Sequence, residues 1–260
     1  DMIVQCVEKR TGHAGCGGTV FAMLPAHGCG PAPTLLLFAS TAADTLDSEP
    51  YCLVGRRLHA CGWNVVSLDL PCHGADRRPG EPPELAGWAA RVGAGEDIVS
   101  AFQQRVNDVV DHLVATGVAD PARIAAAGTS RGGFLAFHAA AGNPRIRAVA
   151  AFSPVTDVLA LSEFAGQEGS LLARRLALAN TVEALADRSA WITIGHDDAR
   201  VGTDKAVAFA RALSAESRRR DLADDITLHV RPTPGHSSMP EWHDEAAEWF
   251  LQRHSGTVPD

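Results

Sequence analysis

The stretch Arg123–Phe134 (RIAAAGTSRGGF) joins a short apolar run to a serine that stands between glycines. Residues 123–129 are apolar in nearly every position, which is typical of a strand buried on both faces of a parallel sheet. Gly128-Thr-Ser130-Arg-Gly132 then matches the pattern Gly-x-Ser-x-Gly, and the residues from 132 to 141 suit a helix. Two glycines around a serine allow strand and helix backbones to approach closely at a sharp turn. The segment therefore predicts a strand, a strained turn at Ser130 and a helix, against the alternative of an ordinary glycine-rich turn.

The same alternation of short apolar runs and longer helical stretches extends in both directions along the chain. Such alternation predicts an α/β fold, a mostly parallel sheet of about eight strands with helices on both faces. We expect residues 1–260 to form a single domain, because no linker or repeat interrupts the pattern. The first two strands, joined by a turn over 12–18, are expected to be antiparallel. The predicted strands are 3–7, 19–24, 34–39, 64–70, 123–129, 146–152, 191–195 and 226–230, and the predicted helices are 50–60, 98–113, 132–141, 203–215 and 241–253.

Two stretches outside these elements have distinct patterns. Residues 154–189 are the only long stretch between consecutive strands, and their spaced leucines predict short helices that form a small lid at the carboxyl edge of the sheet. Residues 216–225 (ESRRRDLADD) mix both charge signs and predict a solvated loop.

Composition excludes several classes of function. Lys and Arg number 23 against 31 Asp and Glu, so the formal net charge is −8, which disfavours binding to nucleic acid or an anionic membrane. No apolar run approaches the roughly 20 residues that cross a bilayer. The glycines lack the full phosphate-binding patterns, and no metal-ligand constellation occurs, so no cofactor and no metal are predicted.

The six cysteines lie in the first third of the chain and include no Cys-x-x-Cys pair. We interpret them as reduced thiols of a cytoplasmic protein with no visible signal peptide. A disulfide between Cys6 and Cys16 is the alternative.

The strand, serine turn and helix give the chain a resemblance to the α/β-hydrolases over nearly its whole length. It is similar to the compact esterase-like members related to the prolyl oligopeptidase and dienelactone hydrolase groups. Ser130 departs from the dienelactone hydrolases, whose nucleophile is cysteine, and this points away from their reaction. The resemblance implies that Ser130 is the catalytic nucleophile and that an acid and then a histidine follow it in the chain.

The acid is expected directly after a later strand. Gly195-His-Asp-Asp-Ala-Arg-Val201 resembles the family's Gly-x-x-Asp-x-x-Val loop, which implies Asp198. Asp197 is the neighbouring alternative. Asp157 is a third candidate, because some family members carry the acid at the end of the preceding strand.

The base is expected on a loop between the last strand and the last helix, where His236 stands in Pro232-Thr-Pro-Gly-His-Ser-Ser. A neutral imidazole there could take the proton of the serine hydroxyl, and a buried carboxylate would fix its tautomer. Other histidines are interpreted as structural, namely His73, His112, His138, His229 and His243.

The oxyanion formed by attack on an acyl carbon requires two hydrogen-bond donors. One is the backbone N–H of Arg131, directly after the nucleophile. The resemblance implies Ser40 as the second, with Thr41 as the alternative. Phe38-Ala39 stands where relatives often carry His-Gly, so the chain departs from the family pattern beside this donor.

The sequence thus predicts a serine hydrolase that cleaves small to medium carboxylic esters through an acyl-enzyme. A peptidase or amidase resembling prolyl oligopeptidase is the first alternative; such enzymes carry a large N-terminal propeller, and only about 120 residues precede the nucleophile strand here. A non-catalytic binding module is the second alternative. Leu159, Leu161 and Phe164 are expected to line the acyl pocket. A small-molecule ester is the expected partner, and the oligomeric state stays open.

Overall fold

The computed structural model describes residues 10–14 and 18–254. Its strands are β1 (Arg10–Ala14), β2 (Thr19–Leu24), β3 (Ala32–Phe38), β4 (Asn64–Ser67), β5 (Ala119–Thr129), β6 (Ile146–Phe152), β7 (Ser189–Asp197) and β8 (Ile226–Pro234). Its helices are α1 (Ala42–Asp47), α2 (Leu53–Ala60), α3 (Glu84–Gly93), α4 (Ile98–Ala115), α5 (Arg131–Gly142), α6 (Leu171–Arg175), α7 (Val182–Leu185), α8 (Thr203–Arg219) and α9 (Pro240–His254). No helix in these ranges is both long and apolar enough to cross a membrane.

The described strands form one mixed sheet in the order β1-β2-β4-β3-β5-β6-β7-β8. β1 pairs with β2, and β2 with β4, in antiparallel register. Every other pairing is parallel. The sequence-based prediction of a mostly parallel, roughly eight-stranded sheet is therefore confirmed.

Helices cover both faces of the sheet. Alternate residues of β3 point to opposite faces, as the period of a strand requires: Leu35 and Leu37 join the core beneath α1, α2 and α9, whereas Leu36 and Phe38 join the core beneath α3, α4, α5 and α8. This double burial explains why β3 is apolar in consecutive positions rather than alternate ones.

The predicted turn over 12–18 is wrong at its start. Gly12 lies within β1 and pairs with Phe21. A Cβ at Gly12 would lie 2.2 Å from Phe21 Cζ, so this glycine makes room for an aromatic ring within a sheet. The predicted strand over 3–7 and the alternative Cys6–Cys16 disulfide fall outside the described residues.

Other predicted boundaries also need correction. β4 ends at Ser67 rather than at Leu70, whose N–H instead donates to the carbonyl of Ser40. α1 and α3 were not predicted, although α3 carries buried residues at helical spacing. The first residues of the predicted loop over 216–225 belong to α8, because Glu216 pairs with Arg219 and Arg220 along one helix face.

Residues 154–188 contain only short elements, as expected. They include 3-10 turns at Val158–Ala160, Ser162–Phe164 and Leu178–Thr181 in addition to α6 and α7.

The tightest packing in the sheet lies where β5 turns into α5. A Cβ on Gly132 would lie 1.9 Å from the backbone oxygen of Phe38, and one on Gly128 would lie 2.3 Å from the carbonyl carbon of Gly132. Both obstacles are backbone atoms, which cannot swing aside as a flexible side chain could. The two glycines of the Gly-x-Ser-x-Gly pattern are therefore steric requirements of this fold.

We predict that Gly132→Ala lowers the free energy of unfolding by about 3 kcal/mol or more, because the added methyl group overlaps the backbone of β3. Gly169→Ala is the matched control, since a Cβ there meets nothing within 4 Å, and its expected change stays within about 0.5 kcal/mol. Urea unfolding of both variants measures the difference. Equal stabilities would contradict the steric account.

Candidate active site

Ser130 stands at the turn between β5 and α5 in a conformation that non-glycine residues rarely adopt. Its φ is +54° and its ψ is −115°. The Ser130 N–H donates to the carbonyl of Phe152 at 2.8 Å, and its carbonyl accepts from the N–H of Phe134 at 3.2 Å and that of Val155 at 3.1 Å. Backbone strain of this kind persists only where surrounding structure enforces it. β6 and α5 enforce it here and hold the serine hydroxyl at the carboxyl edge of the sheet.

The three residues predicted for the site form one hydrogen-bonded chain. His236 Nε2 lies 3.0 Å from Ser130 Oγ, and His236 Nδ1 lies 2.8 Å from Asp198 Oδ2. An ionised carboxylate can only accept, so Nδ1 carries the imidazole proton and Nε2 accepts from the serine hydroxyl. This is the tautomer in which a histidine can remove a proton from serine.

Asp198 is buried, and both oxygens of its carboxylate accept hydrogen bonds. Oδ2 accepts from His236, and Oδ1 accepts from the N–H groups of Arg200 at 3.0 Å and Val201 at 3.2 Å. These bonds hold the Asp198 carboxylate in place. They also orient Oδ2 toward the imidazole.

The two alternative acids lie elsewhere. Asp197 ends β7 and is exposed to solvent. Asp157 accepts from the N–H of Leu159 at 3.0 Å and pairs with Lys205 at 2.8 Å, so it caps a 3-10 turn. Of the three carboxylates, the structure brings only Asp198 to His236.

The loop that carries His236 is clamped on both sides. Ser153, itself at φ +44°, donates from Oγ to the carbonyl of Ser237 at 2.6 Å. Ser238 Oγ lies 2.9 Å from Nε2 of His243, whose ring is stacked on Phe152 with centroids 4.0 Å apart. The sequence did not predict the contacts made by Ser153 and Ser238, because a single serine in a loop has no distinguishing pattern.

The other histidines interpreted as structural do not join this chain of hydrogen bonds. His138 is buried in α5 and bonds the carbonyl of Leu176, and His73 bonds the carbonyl of Pro71. His229 lies within β8 and His112 within α4.

A cavity of about 290 Å³ opens beside Ser130. Its lining includes Tyr51, Leu85, Arg131 and Arg200, and no carboxylate lies among the described residues that line it. The expectation that Leu159, Leu161 and Phe164 form acyl-pocket walls is wrong. Leu161 and Phe164 are 2 % and 1 % exposed in the core, and Leu159 packs against that core. Their apolar spacing indicated burial and did not distinguish a core from a pocket.

The donor predicted at Ser40 already has a partner. The Ser40 N–H donates to Thr45 Oγ1 at 3.2 Å, and Ser40 does not line the cavity. Tyr51 does line it, and its hydroxyl makes no hydrogen bond to any residue in the described part of the chain. No sequence pattern pointed to this tyrosine.

Arg200 joins the cavity to the segment over 158–164. Its guanidinium pairs with Glu163 at 2.6 Å and donates to Ser162 Oγ at 3.0 Å. The hydrogen bond from Arg200 lowers the pKa of Glu163 and raises that of Arg200 itself.

The sheet order, the serine turn and this hydrogen-bonded chain together define an α/β-hydrolase. Residues 100–257 match the model of the prolyl oligopeptidase family. The chain therefore belongs to the prolyl oligopeptidase family, a family of hydrolases, as the resemblance in the sequence implied. No curated protein sequence matches the chain.

Solved structures show the same fold at low sequence identity. TT1662 from Thermus thermophilus has a TM-score of 0.69 and 18 % identity, covering 96 % of this chain and 100 % of its own. Acetyl xylan esterase 1 from Thermoanaerobacterium sp. has a TM-score of 0.63 and 15 % identity, covering 96 % and 89 %. The acylaminoacyl peptidase of Pyrococcus horikoshii has a TM-score of 0.70 and 12 % identity, covering 97 % of this chain and 42 % of its own. The chain spans 35 % to 42 % of the length of four peptidase chains among those that it matches.

His243, which contacts the loop that carries His236, makes the stability of the fold depend on pH. Burial lowers the pKa of His243 from 6.5 to about 4. Between these values the unfolded chain binds a proton that the folded chain does not, so acid favours unfolding. This histidine therefore reduces the free energy of unfolding by about 1.4 kcal/mol for each pH unit below about 6.5, down to about pH 4.

We predict that His243→Gln has a shallower fall in stability between pH 6.5 and pH 4.5 than the wild type, because it removes that titration. Urea unfolding at four pH values gives both slopes. His27→Gln, at a solvent-exposed position, is the control and is expected to keep the wild-type slope. An unchanged slope in His243→Gln would show that the imidazole does not contribute.

Proposed function

We propose that this protein is a serine hydrolase that cleaves carboxylic esters of small to medium size, with Ser130 as nucleophile, His236 as base and Asp198 as the orienting acid. The observation that carries the proposal is the continuous chain of hydrogen bonds from Ser130 Oγ to Asp198, at 3.0 Å and 2.8 Å. It opens into a cavity where an acyl group can meet the serine.

The chemistry follows from this order of groups. His236 Nε2 takes the hydroxyl proton as Ser130 Oγ forms a bond to the acyl carbon, and the carbonyl electrons move onto its oxygen. When the tetrahedral intermediate collapses, the bond to the alcohol oxygen breaks and His236 returns the proton to it. Water then repeats the sequence on the acyl-enzyme. Asp198 stabilises the imidazolium that forms in each half of the reaction.

Ester substrates are favoured over peptides by the size of the cavity. About 290 Å³ lies at the lower end of the range for ligand pockets, which suits a small acyl or alcohol group better than an extended peptide. Membership of the prolyl oligopeptidase family favours a second candidate, a serine peptidase or amidase. We further propose a cytoplasmic location, supported by the cysteines within the described residues, which are unpaired, namely Cys29, Cys52, Cys61 and Cys72.

We predict that a fluorophosphonate labels the wild-type protein and does not label Ser130→Ala, because the probe phosphonylates only an activated serine. Ester hydrolysis should fall by about a thousandfold or more in the same variant. Ser237→Ala removes another cavity hydroxyl and is expected to keep the label. Labelling that persists in Ser130→Ala would contradict the assignment and favour a binding module.

The substrate class is tested with p-nitrophenyl esters from acetate to decanoate against aminoacyl and acylaminoacyl p-nitroanilides. We expect higher kcat/KM for short esters. A higher kcat/KM for the anilides would favour the peptidase candidate.

We propose Tyr51 as the second oxyanion donor beside the Arg131 N–H. Its support is the engagement of the Ser40 N–H with Thr45 and the presence of the phenol in the same cavity as Ser130. A phenol can donate one hydrogen bond to a developing oxyanion.

We predict that Tyr51→Phe lowers kcat about a hundredfold with little change in folding, since one oxyanion donor contributes about 3 kcal/mol to the transition state. Steady-state kinetics on a short ester measures this loss. A kcat within twofold of the wild type would assign the donor elsewhere, with the Thr41 N–H as the next candidate.

A further inference from the structure

The peptide group between Ala39 and Ser40 is held at both ends by side chains. The Ala39 carbonyl accepts from Nε of Arg131 at 3.0 Å, and the Ser40 N–H donates to Thr45 Oγ1 at 3.2 Å. Thr45 in turn donates from Oγ1 to the carbonyl of Thr41 at 2.7 Å. Because Ala39 lines the cavity, the orientation of this peptide sets the wall beside Ser130.

The Arg131 side chain reaches back from the first residue of α5 to a loop that lies 92 residues earlier in the chain. It does not lie free in solvent, since its Nη1 also donates to Glu84 Oε2 at 2.8 Å. Glu84 begins α3 at φ +56°, and its N–H donates to the carbonyl of Cys72 at 3.1 Å. One guanidinium therefore links the nucleophile turn, the loop after β3 and the start of α3.

These contacts of Arg131 are better suited to positioning the loop after β3 than to raising the stability of the fold. The Arg131 side chain is 17 % exposed, whereas Glu84 is 53 % exposed, and ion pairs with a solvated partner contribute little to stability. A guanidinium with two partners in different segments instead fixes a geometry, because its N–H groups form a rigid planar fork.

We propose that the Arg131 side chain is a positioning residue for the oxyanion site. By holding the Ala39 carbonyl, it fixes the cavity wall formed by the loop after β3 relative to the nucleophile turn, and so fixes the position of the Arg131 N–H, one of the two proposed donors. The inference rests on the proposed function, because it assigns the side chain of Arg131 a part in the same reaction. Misplacement of a reacting group by about 1 Å can lower a rate by up to a hundredfold, and loss of this hold should be visible in kcat.

The test compares Arg131→Met, Arg131→Lys and Glu84→Gln with the wild type, using a neutral short-chain p-nitrophenyl ester and a second ester of similar size that carries a carboxylate on its acyl chain. Arg219→Met, which removes an exposed ion-paired arginine at the end of α8, is the matched control. Rates are divided by the number of sites titrated with a fluorophosphonate, so that an unfolded fraction does not count as lost activity. Affinity is measured for an alkyl boronic acid, which mimics the tetrahedral intermediate, and for a non-reactive amide that mimics the bound ester.

We expect Arg131→Met to lower kcat about tenfold with KM within twofold. Boronate affinity should fall by the same factor, and amide affinity should not change. Arg131→Lys should recover part of kcat, because its ammonium can still donate to the Ala39 carbonyl. Glu84→Gln, which keeps an acceptor for Nη1, should lie near the wild type, as should Arg219→Met.

Three results would overturn the inference. An unchanged kcat in Arg131→Met would show that the Ala39–Ser40 peptide keeps its place unaided. Equal loss of boronate and amide affinity would indicate a general structural role. A rise in KM confined to esters that carry a carboxylate would indicate that Arg131 binds substrate directly. If the wild type itself has no Ser130-dependent activity, the proposed function fails, and this outcome is distinct from all three.

Discussion

The site depends on backbone-to-backbone contact at the start of α5. Gly132 lies so close to the Phe38 carbonyl that no Cβ could be inserted, and Gly128 has the same relation to Gly132. Within this closely packed turn Ser130 adopts its positive-φ conformation. The strain is balanced by packing of the buried apolar residues of β3, β5 and α5. Because the turn packs directly on the core, the position of the Ser130 hydroxyl depends on the packing of the sheet around it.

Parallel strands explain why residues distant in the chain meet at this hydroxyl. β5, β7 and β8 end at the same edge of the sheet, so the loops after them converge there. The position of the strand ends does not by itself fix the loops that follow them. Hydrogen bonds within and around these loops do so. The acid loop is fixed by N–H groups that point at Asp198, and the base loop is held through Ser153 and the pair Ser238–His243.

The sequence was most informative about the site at positions where the backbone geometry allows only a few residue types. The glycines around Ser130 and the order of Asp198 and His236 after it were sufficient to predict which groups meet. Side-chain direction within loops was harder to predict. The resemblance implies Ser40 as the second oxyanion donor, but the Ser40 N–H donates to Thr45 Oγ1, and such an orientation depends on tertiary contacts that no local pattern encodes. Apolar spacing likewise indicated that Phe164 is buried, yet it gave no direction of burial, so a core residue was interpreted as a pocket wall.

The net charge of the cavity depends on ion pairs between its lining residues and other segments of the chain. Arg131 and Arg200 both line it, but each is already paired with a carboxylate from another segment, Glu84 and Glu163 respectively. The cavity therefore has little net charge despite its two guanidinium groups, because each is compensated by a carboxylate. Arg200 also contributes its N–H to the Asp198 carboxylate. Arg200 therefore belongs both to the lining of the cavity and to the N–H donors that hold Asp198 in place, so these two parts of the structure share one residue.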